Sequence, residues 1–113
     1  MTVLLRSTIV GVDQGIKSGN FTVVRDMGAP AFQQLNTASK LTAIFAQLAA
    51  RSPDLSRVTV LDPQYSQGPV IDAKGFLYVA GVFPAGVSNI QFDIRYQWVN
   101  GRWRHVSLGL GLT

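Results

Sequence analysis

The stretch IQFDIRYQWVNGRWRHVSLGLGL, residues 90–112, decides the fold. Ile90, Phe92, Ile94, Tyr96 and Trp98 alternate with Gln91, Asp93, Arg95 and Gln97, the period of a half-buried strand. Asn100-Gly101 then suits a two-residue type I′ turn, because both central positions of that turn need positive φ. Arg102 to Leu112 returns as the partner strand. A two-residue loop sets the register: Val99 opposes Arg102, Trp98 opposes Trp103, Tyr96 opposes His105, Ile94 opposes Ser107 and Phe92 opposes Gly109.

Opposed residues share a face. One face therefore carries Ile90, Phe92, Ile94, Tyr96 and Trp98 beside Trp103, His105, Ser107, Gly109 and Gly111, large residues against small, and it is expected to be concave and to face helices. The other carries Gln91, Asp93, Arg95, Gln97, Arg102 and Arg104 near the turn, then Val106, Leu108, Leu110 and Leu112 further along. Four apolar side chains on an open sheet face form a patch of the kind that marks an interface, so a homodimer contact is expected there. The competing reading is a β-bulge that shifts the register and turns these residues inward.

Working back from the hairpin, Phe76 to Phe83 is a strong strand bounded by Asp72-Ala73-Lys74-Gly75 and Pro84-Ala85-Gly86 turns. Tyr65 to Ile71 is a weaker strand interrupted by Gly68-Pro69. Arg57 to Leu61 alternates and is rich in β-branched residues, which predicts a further strand. Upstream of Ser56 the period is 3.6. Leu5, Ile9, Val12 and Ile16 make the stripe of a first helix, with Gly19 as a left-handed cap. Asn20 opens a short second helix to about Asp26, stopped by Gly28 and a break at Ala29-Pro30. Phe32 and Leu35 are expected to anchor the connection. Asn36 or Thr37 caps a third helix with Leu41, Ile44, Phe45 and Leu48 on its apolar face, ended by Ser52-Pro53-Asp54. Three helices followed by four to five antiparallel strands predict a single α+β domain over residues 1–113.

Composition narrows the function classes. The chain is 47% hydrophobic and 14% charged, which excludes a disordered chain. A net charge of +4, spread without any block of like charges, does not indicate nucleic-acid binding. No apolar run is long enough to cross a membrane, and residues 1–7 lack the pattern of an intact signal peptide; the compartment is not fixed by this, cytoplasmic and, with a signal removed, periplasmic both being open. With no Cys, no Glu and one His, no metal-ligand spacing stands out, and no phosphate loop or nucleophile elbow is present; no cofactor is expected.

The order of elements resembles the nuclear transport factor two-like, or cystatin-like, superfamily. Three stretches carry the likeness: the helix ending Lys17-Ser18-Gly19-Asn20 with its short successor Phe21 to Asp26 and Ala29-Pro30-Ala31-Phe32; the longer helix from Asn36 to Ala50; and the closing Tyr96 to Arg104 hairpin with its Asn-Gly-Arg-Trp step. The resemblance implies a cone-shaped domain whose strongly curved sheet wraps a long helix and leaves a pocket between them. Its members are often dimers; some are isomerases, dehydratases or cyclases, and many bacterial ones have no assigned activity. Fold alone carries no function over.

For chemistry, Tyr96 and His105 are predicted neighbours on the concave face with Ser107 diagonal, a pair able to bind a polar group or do acid–base work, or simply a core-edge hydrogen-bonded pair. Trp98 and Trp103 either roof a pocket or brace the hairpin. Arg95, Arg102 and Arg104 form a small basic cluster on the outer face, read as a solvated face or as an anion or partner contact. Of the six Asp, only Asp13 lies near an apolar stripe, and five read as caps, turns or surface. The leading expectation is a domain binding a small apolar or amphipathic ligand at Tyr96, His105, Ser107, Trp98 and Trp103. The alternatives are a cofactor-free isomerase or dehydratase using His105 and Tyr96, and an interaction module working through the outer sheet face.

Overall fold

A computed structural model describes residues 1–51, 53–86 and 88–113. Five α-helices come first: α1 (Thr2–Ser18), α2 (Thr22–Met27), α3 (Pro30–Leu35), α4 (Ala38–Ile44) and α5 (Ala46–Ala50). A 3₁₀ helix (Leu55–Thr59) leads into four strands: β1 (Gln64–Ile71), β2 (Leu77–Phe83), β3 (Ile90–Val99) and β4 (Arg102–Leu112). The strands form one antiparallel meander in the order β1-β2-β3-β4. The architecture is therefore α+β, with helices against one face of an open sheet.

The α1 stripe packs as its period requires. Leu5, Ile9 and Val12 are fully buried against the inner sheet residues Val79, Phe83, Ile90, Phe92, Ile94 and Tyr96. Gly15 lets α2 come close: a Cβ there would lie 2.5 Å from the ring of Phe21, which itself stacks on Phe45 at 5.4 Å between centroids. Gly19 takes the left-handed cap at φ 72, and Asn20 Oδ1 accepts from the Thr22 amide. Thr37 caps α4 by accepting from the Lys40 amide.

Three expectations about the helices are corrected. Pro30 does not merely break the chain; it occupies the first turn of α3, where its missing N–H costs nothing. Phe32 is buried, but Leu35 is 67% exposed because it sits on the solvent side of α3. The expected third helix bends at Phe45 into α4 and α5, and Ile44 stays 53% exposed. Ser52 of its predicted stop lies outside the described residues; α5 ends at Ala50.

Arg57 to Leu61 forms no strand. Leu55 and Val58, three apart, are both fully buried, a spacing that a 3₁₀ turn satisfies and a strand does not. Polar anchors hold it. Asp54 accepts from the Ser56 amide, Asp13 Oδ1 accepts from the Leu55 amide at 3.0 Å, and the Arg6 guanidinium donates to the Val58 and Leu61 carbonyls at 2.9 and 2.6 Å.

The hairpin begins as predicted. Asn100 and Gly101 both have positive φ (48 and 86), and Trp98 pairs with Trp103 and Tyr96 with His105. The register then shifts by one: Arg95 pairs with Ser107, Ile94 with Leu108, Phe92 with Leu110 and Ile90 with Leu112, which leaves Val106 as the extra residue of a β-bulge. Beyond it every side chain changes face. Ser107, Gly109 and Gly111 move outward, and Leu108, Leu110 and Leu112 turn to the helix side and pack against the core. The outer apolar patch expected to make a dimer contact is therefore absent, because the bulge reverses the parity on which it depended.

Candidate functional site

Tyr96 and His105 are neighbours across β3 and β4, but both are buried, at 0% and 2% exposure, and each bonds to a helix. The Tyr96 hydroxyl lies 2.9 Å from the Thr8 hydroxyl of α1, and Thr8 also donates to the Leu4 carbonyl. Burial raises the Tyr96 pKa well above the usual phenol range, so it stays neutral. His105 Nε2 lies 2.9 Å from the Val24 carbonyl of α2; a carbonyl only accepts, so Nε2 carries the proton.

That bond has a structural reason. The Gly28 amide turns to the Arg25 carbonyl, so it is not available to Val24 as the fourth-residue donor, and the imidazole takes its place at this helix end. The Ala29 amide bonds back to the His105 carbonyl, and the Phe32 ring meets the imidazole edge-on at 4.5 Å. Gly28 makes room: a Cβ there would be 3.1 Å from Nε2. Burial pushes the His105 pKa down to about 4, against a smaller upward pull from the Val24 carbonyl. No substrate reaches an imidazole so enclosed. The pair clasps two helices to the sheet.

The other expected ligand residues do not join it. Ser107 is exposed on the outer face beside Arg95, moved there by the bulge. Trp98 and Trp103 meet edge to face at 5.3 Å beside the turn, with Trp98 57% exposed, the geometry of a hairpin brace. On the outer face, Arg95 lies 4.2 Å above the Tyr78 ring and within ion-pair reach of Asp72 and Asp93, so it does not form a free basic cluster with Arg102 and Arg104. Asp13 is fully buried, with Oδ1 on the Leu55 amide and Oδ2 2.8 Å from Lys17 Nζ. It is a tether, not a base.

Open space lies elsewhere. A hollow of about 680 Å³ forms a shallow trough on the outer sheet face over Ala80, Gly81, Gly109 and Gly111, rimmed by Gln64, Gln91 and Asp93. Ser66 and Tyr65 also line it, and the Asp93 carboxylate already accepts from the Tyr78 hydroxyl at 3.0 Å.

A second space of about 310 Å³ lies in the seam between α4–α5 and β4, walled by Ile44, Phe45 and Leu48 on one side and Leu108, Leu110 and Leu112 on the other. It continues at one end into a hollow of about 140 Å³ at Phe32, Leu41 and Val106, sharing Ile44, Phe45 and Leu108. At the other end it meets a hollow of about 260 Å³ holding Arg51 and Arg57, sharing Arg51 and Leu112. The result is a groove between helices and the inner sheet face, with apolar side chains on both walls, Gln47 and Arg51 among its lining, and Arg51 and Arg57 at one mouth. This is the layer in which a pocket was expected, but at the opposite end of β4. Ile44, Leu48 and Arg51 were not singled out as site residues, and the leucines were assigned to the wrong face. The traceable signal was the parity of Leu108, Leu110 and Leu112, apolar where the strand should have faced water.

Compared with protein families, curated proteins and solved structures, the chain has no match: no family model, no curated protein and no solved structure. Among the described residues no cluster of His, Cys, Asp or Glu could hold a metal, and no helix is long and apolar enough to cross a membrane.

Proposed function

We propose that this chain is a small-ligand-binding domain of the nuclear transport factor two-like kind, a cone in which the sheet curls over the helices, and that its ligand lies in the groove between α4–α5 and the inner face of β4. The family reading is supported by the helices-first order, the antiparallel meander and the closing Asn-Gly hairpin. One observation carries the site: the bulge at Val106 turns three leucines toward the helices where Ile44, half exposed, leaves them uncovered. A trough of about 310 Å³ with apolar side chains on both walls falls in the size range of ligand sites. Acid–base catalysis by Tyr96 and His105 loses its support, since neither side chain is accessible.

The neutral apolar dye N-phenyl-1-naphthylamine tests the site. It should bind one per chain with a blue-shifted emission. Ile44→Asp should weaken it by about tenfold or more, because a carboxylate would be desolvated against the bound dye, while folding is little affected at an already exposed position. No binding, or equal binding to wild type, Ile44→Asp and Leu110→Gln, would overturn the assignment.

A further inference from the structure

All six acidic side chains of this chain have a cationic neighbour: Asp13 and Asp54 share Lys17, Asp62 meets Arg6, Asp26 meets Arg25, and Asp72 and Asp93 flank Arg95. Arg51 and Arg57 have no ion-pair partner among the described residues. Asp54 lies in the same hollow, and its carboxylate is engaged by Lys17 at 3.0 Å and by the Ser56 amide and hydroxyl, which keep it ionised. Arg51 gives one donor to the Leu112 carbonyl at 3.2 Å, which pins its guanidinium at the groove mouth and leaves further N–H groups free.

A trough lined by leucines that ends at two guanidinium groups without an ion-pair partner among the described residues is complementary to one shape of molecule. We infer that the groove takes a free single-chain fatty carboxylate, its alkyl chain along Leu108, Leu110 and Leu112 and its headgroup on Arg51 and Arg57. The inference rests on reading the groove as a ligand site. Length agrees. Four residue steps from Leu108 to Leu112 span roughly 14 Å at about 3.4 Å each. An extended alkyl chain advances roughly 1.3 Å per carbon, given a C–C bond of about 1.52 Å. About ten carbons therefore fill the trough and bring the carboxylate to Arg51, whose planar fork suits a two-oxygen anion.

The test is displacement of bound N-phenyl-1-naphthylamine by decanoate, 1-decanol and decylamine, each monomeric, at pH 7.5. Decanoate should compete about tenfold better than decanol, decylamine worst, and the margin should shrink with added salt because the headgroup contact lies at the surface. In Arg51→Gln and in Arg57→Gln, decanoate should fall toward decanol while decanol is unchanged. Equal competition by decanoate and decanol in the wild type, or a preference that survives both substitutions, would overturn the headgroup assignment and leave the groove standing. Failure of the dye itself to bind would instead remove the groove.

Discussion

Lowering the pH from 7 to 5 should weaken this fold through one residue. His105 is the chain's single histidine, and burial holds its folded pKa at about 4 against an ordinary 6.5. Below 6.5 the unfolded chain takes up a proton that the folded chain refuses, so the unfolded state binds more protons. Stability is therefore full above pH 6.5, falls as pH drops from 6.5 toward 4, and levels below that. At about 1.4 kcal/mol per pH unit the loss is about 2 kcal/mol between pH 7 and 5 and about 3 kcal/mol over the whole window. Asp54, whose pKa is lowered mainly by the Ser56 hydroxyl and Lys17, withdraws its contribution only below the usual carboxylate range, outside this window. Urea titrations at pH 7 and 5 read the effect as a midpoint drop of about 1–2 M, for an m-value of ~1–2 kcal/mol/M. His105→Gln keeps an amide donor for Val24 without titrating, and its midpoint should stay nearly level over the same interval. A variant with the same acid loss as the wild type would refute the reasoning. So would a proton-NMR titration placing His105 near 6.5 in the folded chain.

Other outcomes follow from the same geometry. Deleting Val106 should remove the bulge without changing the face of any other residue: Ser107 still opposes Arg95, and Leu108, Leu110 and Leu112 still turn to the helices. Dye binding should therefore persist, read by fluorescence; its loss would refute the assigned register. Gly15→Ala gains about 1 kcal/mol of helix propensity but drives a methyl into Phe21, at a cost of about 1–3 kcal/mol, so the melting temperature should fall; a rise would show that the aromatic stack yields easily. Asp13→Ala leaves the buried Leu55 amide without its acceptor and should cost about 1–3 kcal/mol, with amide hydrogen exchange rising first across residues 55–59.

Much of this arrangement is legible in the residue pattern. The Leu5, Ile9, Val12 stripe, the Asn100-Gly101 turn and the Tyr96–His105 pairing need only period and turn chemistry, and all are local. What escapes is decided at a distance. Val58, Thr59 and Val60 have the composition of a strand, but Arg6 and Asp13, more than forty residues earlier, hold their neighbourhood in a 3₁₀ turn. The partners of His105 and Tyr96 are a helix-end carbonyl and a threonine on α1, groups that no spacing within the hairpin reveals. The groove is assembled from an exposed isoleucine and an arginine on α4–α5 and from leucines whose direction depends on one unpaired residue.

The bulge also governs how this chain is compared with any other. β4 runs in two phases. From Arg102 to His105, odd positions face the helices; from Ser107 to Leu112, even positions do. An alignment that slides a single gap along β4 to improve residue matches would exchange helix-facing leucines for outward glycines over the stretch between the misplaced gap and Val106. A relative lacking a residue at this point would alternate without a break along β4 and keep the same face toward the helices. Its sequence would then show as one continuous period what this chain divides into two.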